Sequence, residues 1–283
     1  MSKNKKWLIT ATFLILVGCI IFAAVMMRLD WDFSKLSTSK YITKTYDIVE
    51  DFNDISIKAD TADITFSLAE DGKCKVVCYD NEKIKYSVKA LDGKLTVEAI
   101  DNKKLFDNIG INFENAKITV YLPKNELGNI FVGNSTGDIK LYGLTLNSAE
   151  LLVSTGKISA NDITCAGNFK ARVSTGESVL NGIKCKNLIS SGNTGDITLK
   201  NVIASEEFSI ERSTGDIKFK NCDANGIFIK TDTGDIDGSL LSSKVFVTKT
   251  DTGSVNVPKT STGGKCEVIT DTGDINIKVK QEF

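Results

Sequence analysis

From residue 41 onward the chain alternates apolar and polar residues rather than following a helical period. Ile55, Ile57 and Ala59 alternate with polar neighbours, as do Ile64, Phe66 and Leu68, the period of strands with one buried face. Asp71-Gly72 and Asp92-Gly93 fall between such runs and read as tight hairpin turns, flanked by strands over 73–79, 84–90 and 95–100. Lys117 to Leu122 is a further strand, closed by Pro123, which cannot donate to a ladder. Residues 103–115 fit neither period and read as loop. Thr61-Ala62-Asp63-Ile64 resembles a degraded copy of a turn that dominates the second half, so 45–127 predicts first coils interrupted by a hairpin insertion that caps a stack.

That turn recurs eight times, once every 19 or 20 residues, with an invariant Thr-Gly pair at its centre. Its glycines are Gly137, Gly156, Gly176, Gly195, Gly215, Gly234, Gly253 and Gly273. A fixed period of this length marks a repeat architecture in which each unit buries its apolar face against its neighbours. Seven residues before the glycine stand Ile130, Ala149, Phe169, Leu188, Phe208, Ile227, Phe246 and Cys266. Two residues after it stand Ile139, Ile158, Ser178, Ile197, Ile217, Ile236, Val255 and Ile275; four after it, mostly apolar residues from Leu141 to Ile277. Alternate residues therefore point inward on both sides of the turn. The predicted fold is an all-β β-solenoid of 19–20-residue coils, each made of two short strands joined by the Thr-Gly turn and returned through a looser corner. Asn161, Asn181, Asn201 and Asn221 mark that corner and suit an inward amide ladder or an Asx turn. Glycine belongs at the tight turn if the backbone takes positive φ there, and the preceding Ser, Asn or Asp can bond a nearby N–H.

The N-terminus breaks this pattern. Lys3, Lys5 and Lys6 precede an uncharged run from Trp7 to Met27, which as a helix spans about 31 Å, the thickness of a bilayer core. Arg28, Asp30 and Asp32 follow it, and the lysine bias places the N-terminus in the cytoplasm and the rest outside. The expectation is an uncleaved signal anchor over 1–29, a stalk over 30–44, an N-terminal β region over 45–127 and the repeat solenoid over 128–283. A rival lies in Leu16-Val17-Gly18-Cys19, which is similar to a lipobox with Cys19 as the acylated residue; the apolar run continues past it to Met27, which favours the anchor.

Composition narrows the chemistry. The 283 residues carry a formal net charge of -1, no His and only three Arg: Arg28, Arg172 and Arg212. No basic stripe offers a footprint for nucleic acid. The missing His removes the commonest general base and metal ligand, and no cofactor motif is present. Convergence of acidic and basic groups on one face, as a solenoid lyase needs, is not visible with so few Arg. The seven Cys form no C-x-x-C pair. Cys165 and Cys185 each follow a repeat glycine by nine residues, so they stack in successive coils, either bridged or as small buried hydrophobes. Asp232, Asp251 and Asp271 each precede Thr-Gly, as in aspartic proteases, but Asp exchanges there with Ser and Asn, and turn chemistry explains it. The densest acidic set for a calcium ion is Asp232, Asp235, Asp251, Asp271 and Asp274, against the plainer reading of a solvated acidic edge. The Thr column could present hydroxyls to a glycan or ordered water.

The opening Phe52-x-x-Ile55-x-Ile57 with Ala62-Asp63-Ile64, the strand Ile118 to Leu122 with Pro123, and the serial Ser-Thr-Gly-Asp-Ile turns resemble the bacterial putative-adhesin family, which includes LiaG-like proteins of Gram-positive envelope-stress operons. The resemblance covers roughly residues 45–280 and implies a β-solenoid at the cell surface, with no catalytic residues to carry over. Three functions follow: a surface module binding a cell-wall polymer, glycan or envelope protein; an accessory of envelope-stress signalling acting through a membrane partner; or an enzyme, which a convergent polar pocket would be needed to support.

Overall fold

The computed structural model describes residues 3–32, 42–80, 84–101 and 116–280; the predicted loop at 103–115 and most of the predicted stalk lie outside them. Among the described residues, one helix, Lys3–Arg28, precedes a chain built otherwise of strands. The strands form two 12-stranded sheets that enclose one apolar core. Each repeat contributes a longer strand to one sheet and a shorter strand to the other, as Thr145–Thr155 and Ile158–Asn161 do.

The coils stack in parallel and in register. Ala149 opposes Ile130 on one side and Phe169 on the other, and Ile158 opposes Ile139 and Ser178. Like residues therefore pile up in columns, and their side chains meet along the stack. Ile130, Ala149, Phe169, Leu188, Phe208 and Ile227 are all buried. Volume is traded between adjacent layers. A Cβ on Gly238 would collide with the Phe219 ring, which fills the space left beside it. That ring also meets Phe208 edge-on, with centroids 6.4 Å apart.

At the tight turn the eight repeat glycines take φ between 113° (Gly195) and 149° (Gly234 and Gly273), a region costly to any residue with a Cβ. Close approach adds to this. A Cβ on Gly195 would collide with the Gly176 carbonyl, and one on Gly215 with the Gly195 carbonyl. The Gly195 N–H in turn donates to the Thr214 carbonyl at 2.9 Å. Ala62 occupies the matching place in its coil and lacks positive φ, but its N–H likewise bonds the Thr136 carbonyl at 3.0 Å. The second corner is also left-handed: Gly143, Asp162, Gly182, Asn201 and Asn221 lie at φ of 53° to 66°. Its asparagine amides form a ladder, with Asn221 Nδ2 donating to Asn201 Oδ1 at 3.2 Å, but on the partly exposed rim rather than in the interior.

The order of layers departs from chain order at both ends. Strand Gly264–Thr272 lies between Gly226–Thr233 and Lys244–Thr252, so the last coil in sequence is inserted beneath the coil that precedes it. The opposite sheet repeats this, with Ile275–Val279 between Ile236–Leu240 and Val255–Asn256. At the other end, Asp54–Thr61 lies between Glu126–Thr136 and Lys94–Asp101, and Asp63–Leu68 pairs with both Ile139–Tyr142 and Lys117–Leu122. Asp92-Gly93 links the antiparallel pair Ile84–Leu91 and Lys94–Asp101. Asp71-Gly72 does not close a hairpin, because Lys117–Leu122 is inserted between the strands it connects. Antiparallel strands Ile42–Ile48 and Ile84–Leu91 cover the N-terminal end. Among the described residues, the outer coil at the C-terminal end has no such cover. Val255 is 43% exposed there, while Ile275 in the same column is fully buried.

The inserted coil yields a direct test. Neighbouring layers place matched Cα atoms about 4.8 Å apart, and alternate layers about 9.6 Å apart, beyond disulfide reach. Thr233 and Thr272 are register partners, as are Thr272 and Thr252. Oxidation should therefore cross-link the double variant Thr233→Cys/Thr272→Cys and leave Thr233→Cys/Thr252→Cys open, measured by mass spectrometry under non-reducing conditions. Stacking in chain order would give the reverse.

Candidate functional site

The Thr-Gly turns form one long edge of the solenoid. Thr136, Thr155, Thr175, Thr194, Thr214, Thr233, Thr272 and Thr252 stand in register in that spatial order, and all are exposed. Beside them runs the acidic row, and its bonds run between coils. Asp138 Oδ1 accepts the Lys157 N–H at 3.0 Å, Asp196 Oδ1 accepts that of Asp216 at 2.9 Å, and Asp216 Oδ1 accepts that of Asp235 at 3.0 Å. Asp235 Oδ1 takes the Asp274 N–H at 2.8 Å, and Asp274 Oδ1 takes both the N–H and the hydroxyl of Ser254. Where Lys157 and Glu177 interrupt the row, they pair with each other across the layers at 3.0 Å. Each carboxylate thus ties its turn to the next.

These bonds account for the acidic cluster. Asp232 pairs with Lys230 at 3.3 Å and Asp251 with Lys249 at 2.9 Å, while Asp235 and Asp274 engage backbone N–H groups. Asp271 lies exposed on the layer between Asp232 and Asp251. Among the described residues, no group of three or more His, Cys, Asp or Glu side chains could hold a metal ion. Asp216 and Asp274 sit below the usual carboxylate range, chiefly because a backbone N–H from the adjoining coil favours the charged form.

The cysteines are free thiols. Cys165 and Cys185 lie on adjacent layers, and burial pushes both up to about 12. Cys19 is exposed on the N-terminal helix, which continues through it without a break.

Two hollows remain. The larger, about 1050 Å³, lies at the N-terminal end between the 47–52 segment, the 71–75 turn and Pro123. Its charges are mixed, and Lys75 within it is paired with Asp71 at 2.6 Å. The smaller, about 370 Å³, opens near the turn edge of the longer-strand sheet and is lined by Arg172, Gly192, Arg212, Glu211 and Lys230 among others. Both arginines beyond the N-terminal helix therefore reach one depression, a convergence that the sequence did not make visible. Their separation of 40 residues is two coil periods, which was the available signal. Glycine at 192 is part of the construction: a Cβ there would collide with Arg212 Nη1 and the Val173 carbonyl.

An all-β solenoid with stacked, positive-φ glycine turns is the class of protein this geometry defines, and comparison with known proteins places it further. The chain belongs to the toastrack family DUF4097, which matches residues 52–283. Among solved structures it is similar to a "putative lipid binding protein" from Parabacteroides distasonis, at 16% identity and a TM-score of 0.53, covering 86% of this chain and 98% of that one. A "putative adhesin" from Bacteroides fragilis matches at 21% identity and a TM-score of 0.46, covering 84% and 97%. At 16% identity, the likeness to the Parabacteroides distasonis protein is one of fold alone. Among curated proteins none matches the chain.

The acidic row carries a pH dependence of known sign. A carboxyl whose folded pKa is depressed contributes stability above its unfolded pKa of about 3.9, lost as pH falls through the folded value. The stability gap between the parent protein and Asp216→Asn should therefore narrow as pH is lowered from 7 to below about 3, measured by urea denaturation across pH. A gap independent of pH would remove the charge of Asp216 from the account.

Proposed function

We propose that this protein is a non-enzymatic, membrane-anchored extracellular solenoid that binds a repeating ligand of the cell surface, such as a wall polymer or glycan. The observation that carries this reading is the outward face of the shorter-strand sheet. Lys140, Ser159, Val179, Thr198, Lys218 and Asp237 stand there in one in-register row, at the roughly 4.8 Å spacing of adjacent strands. A straight array of mainly polar side chains at constant spacing suits an extended polymer better than a compact metabolite, which needs a concave pocket. Internal bonding accounts for the turn edge, which leaves the sheet faces for recognition.

The anchor is the helical segment Lys5–Arg28, whose most apolar 18-residue stretch has a mean hydropathy of 2.8. Trp7, Phe13, Ile20 and Phe22 along it are exposed, which suits a lipid environment. With Lys3, Lys5 and Lys6 before it and Asp30 and Asp32 after it, the N-terminus lies in the cytoplasm and the solenoid outside. In this arrangement 1–29 anchors, 30–44 spaces, 45–127 covers the stack and 128–283 presents the surface. The helical path through Gly18 and Cys19 supports an uncleaved span over acylation of Cys19.

The test is sedimentation of the detergent-solubilised full chain with purified cell-wall sacculi. The reading predicts saturable pelleting that survives raised salt and weakens when Lys140, Thr198 and Lys218 are changed together to alanine. Absence of pelleting, with retention instead by an envelope membrane protein, would overturn it in favour of the accessory of envelope-stress signalling.

A further inference from the structure

Arg212 is the least expected residue of the interior. It is 3% exposed and stands at the inward position three residues before the turn glycine. Elsewhere in that column polar side chains serve the neighbouring turn. Thr231, Thr270 and Thr250 donate to the carbonyls of Gly215, Gly234 and Gly273 at 3.2, 3.1 and 2.9 Å, and Asn134 donates to that of Ala62 at 2.8 Å. Arg212 instead enters the space left by Gly192, and its Nη1 donates to the Val173 carbonyl, two layers away, at 2.7 Å. Its Nε and Nη2 find no partner. A buried cation with two unmatched donors is destabilising, and a hydroxyl would cap the turn as well at lower cost. Stability does not explain this residue.

The depression above it supplies an explanation. Arg172, Ser191 and Glu211 are register partners on three successive layers, so the small Ser191 leaves a gap between an exposed arginine and an exposed glutamate. Arg172 forms no ion pair among the described residues. Lys230, on the next layer, is already paired with Asp232. Two unpaired guanidinium groups thus serve one depression that also offers the donors and acceptors of Ser191, Ser213 and Glu211. Guanidinium forks match carboxylate and phosphate oxygens, and a neighbouring carboxylate with serines accepts and donates to hydroxyls.

We propose that the depression around Gly192 is a binding site for one oxyanion, a phosphate or carboxylate, carried on a polyol or sugar. Arg172 contacts the oxyanion, and Arg212 holds the floor beneath it positive. Glu211 accepts from a hydroxyl on the same ligand and disfavours a bare, fully charged ion. This goes beyond the surface-binding reading, because the depression lies on the longer-strand sheet, opposite the proposed row, and it stands or falls separately.

The experiment is titration of the full-length ¹⁵N-labelled protein in detergent micelles with glycerol 3-phosphate and, separately, glucuronate. Glycerol and inorganic phosphate serve as comparisons at constant ionic strength. Saturable shifts of the Ser191, Gly192 and Ser213 amides are expected with at least one hydroxylated oxyanion, stronger than with inorganic phosphate and absent with glycerol. Arg172→Gln, on the exposed surface, should weaken binding at least tenfold, and Lys89→Gln, exposed on the strand Ile84–Leu91 at the N-terminal end, should leave it unchanged. Arg212→Met should abolish binding if it folds, but the conclusion rests on Arg172. Linear shifts without saturation, shifts centred elsewhere, or equal binding by Arg172→Gln would each overturn the proposal. Which probe binds separates a phosphate from a carboxylate source. Binding of a probe without binding of sacculi would leave this site standing and reject the wall reading alone.

Discussion

Along the turn edge, the carbonyl of each glycine stands where a Cβ on the next turn's glycine would have to be, as Gly176 and Gly195 show. This contact decides how closely coils approach, and most other features of the fold require that approach. Only with turns so close can the Gly195 N–H reach the Thr214 carbonyl and the Asp196 carboxylate reach the Asp216 N–H. The same spacing sets the apolar columns in van der Waals contact and lets one layer's large side chain fill its neighbour's gap, as Phe219 does beside Gly238. A coil has too little apolar surface to fold alone, so its stability is a property of the stack.

The ends show how a stack of interchangeable layers acquires boundaries. Repeat arrays tend to fray from their termini, where each unit has lost one neighbour. Here the coil ending at Val279 and the coil opening at Asp54 each have a layer on both sides. The segments with a free side are internal in sequence and tethered at both ends. Antiparallel strands close the N-terminal end, whereas the C-terminal layer leaves Val245, Val247 and Val255 exposed.

Much of this could be read from residue order. The alternation and period sufficed for the two-strand coil, the inward columns and the tight turn, because each depends on neighbours within one repeat. What could not be read depends on which repeat lies against which. Every Asp-Thr-Gly coil offers the same edge, so nothing local distinguishes stacking 271 on 232 from stacking it on 251. The Asp71-Gly72 turn misled for the same reason: its own chemistry is that of a hairpin, but a strand from 45 residues further on, Lys117–Leu122, takes the pairing edge. The arginine depression is not legible in residue order, because Arg172 and Arg212 lie two coil periods apart and only the stack brings them to one place. Burial of Arg212 needed one further fact, that Gly192 vacates the space it fills.

The central claim is that turn glycines are required by contact between coils and by left-handed backbone, and two matched substitutions test it most directly. Gly195 has φ of 113° and the Gly176 carbonyl against its missing Cβ, whereas Gly226 has no positive φ and open space at that point. The measurement is the urea denaturation midpoint of Gly195→Ala and of Gly226→Ala in the full chain. The account predicts that the first loses more than about 2 kcal/mol and the second changes by less than about 0.5 kcal/mol. Equal midpoints for the two variants would contradict it.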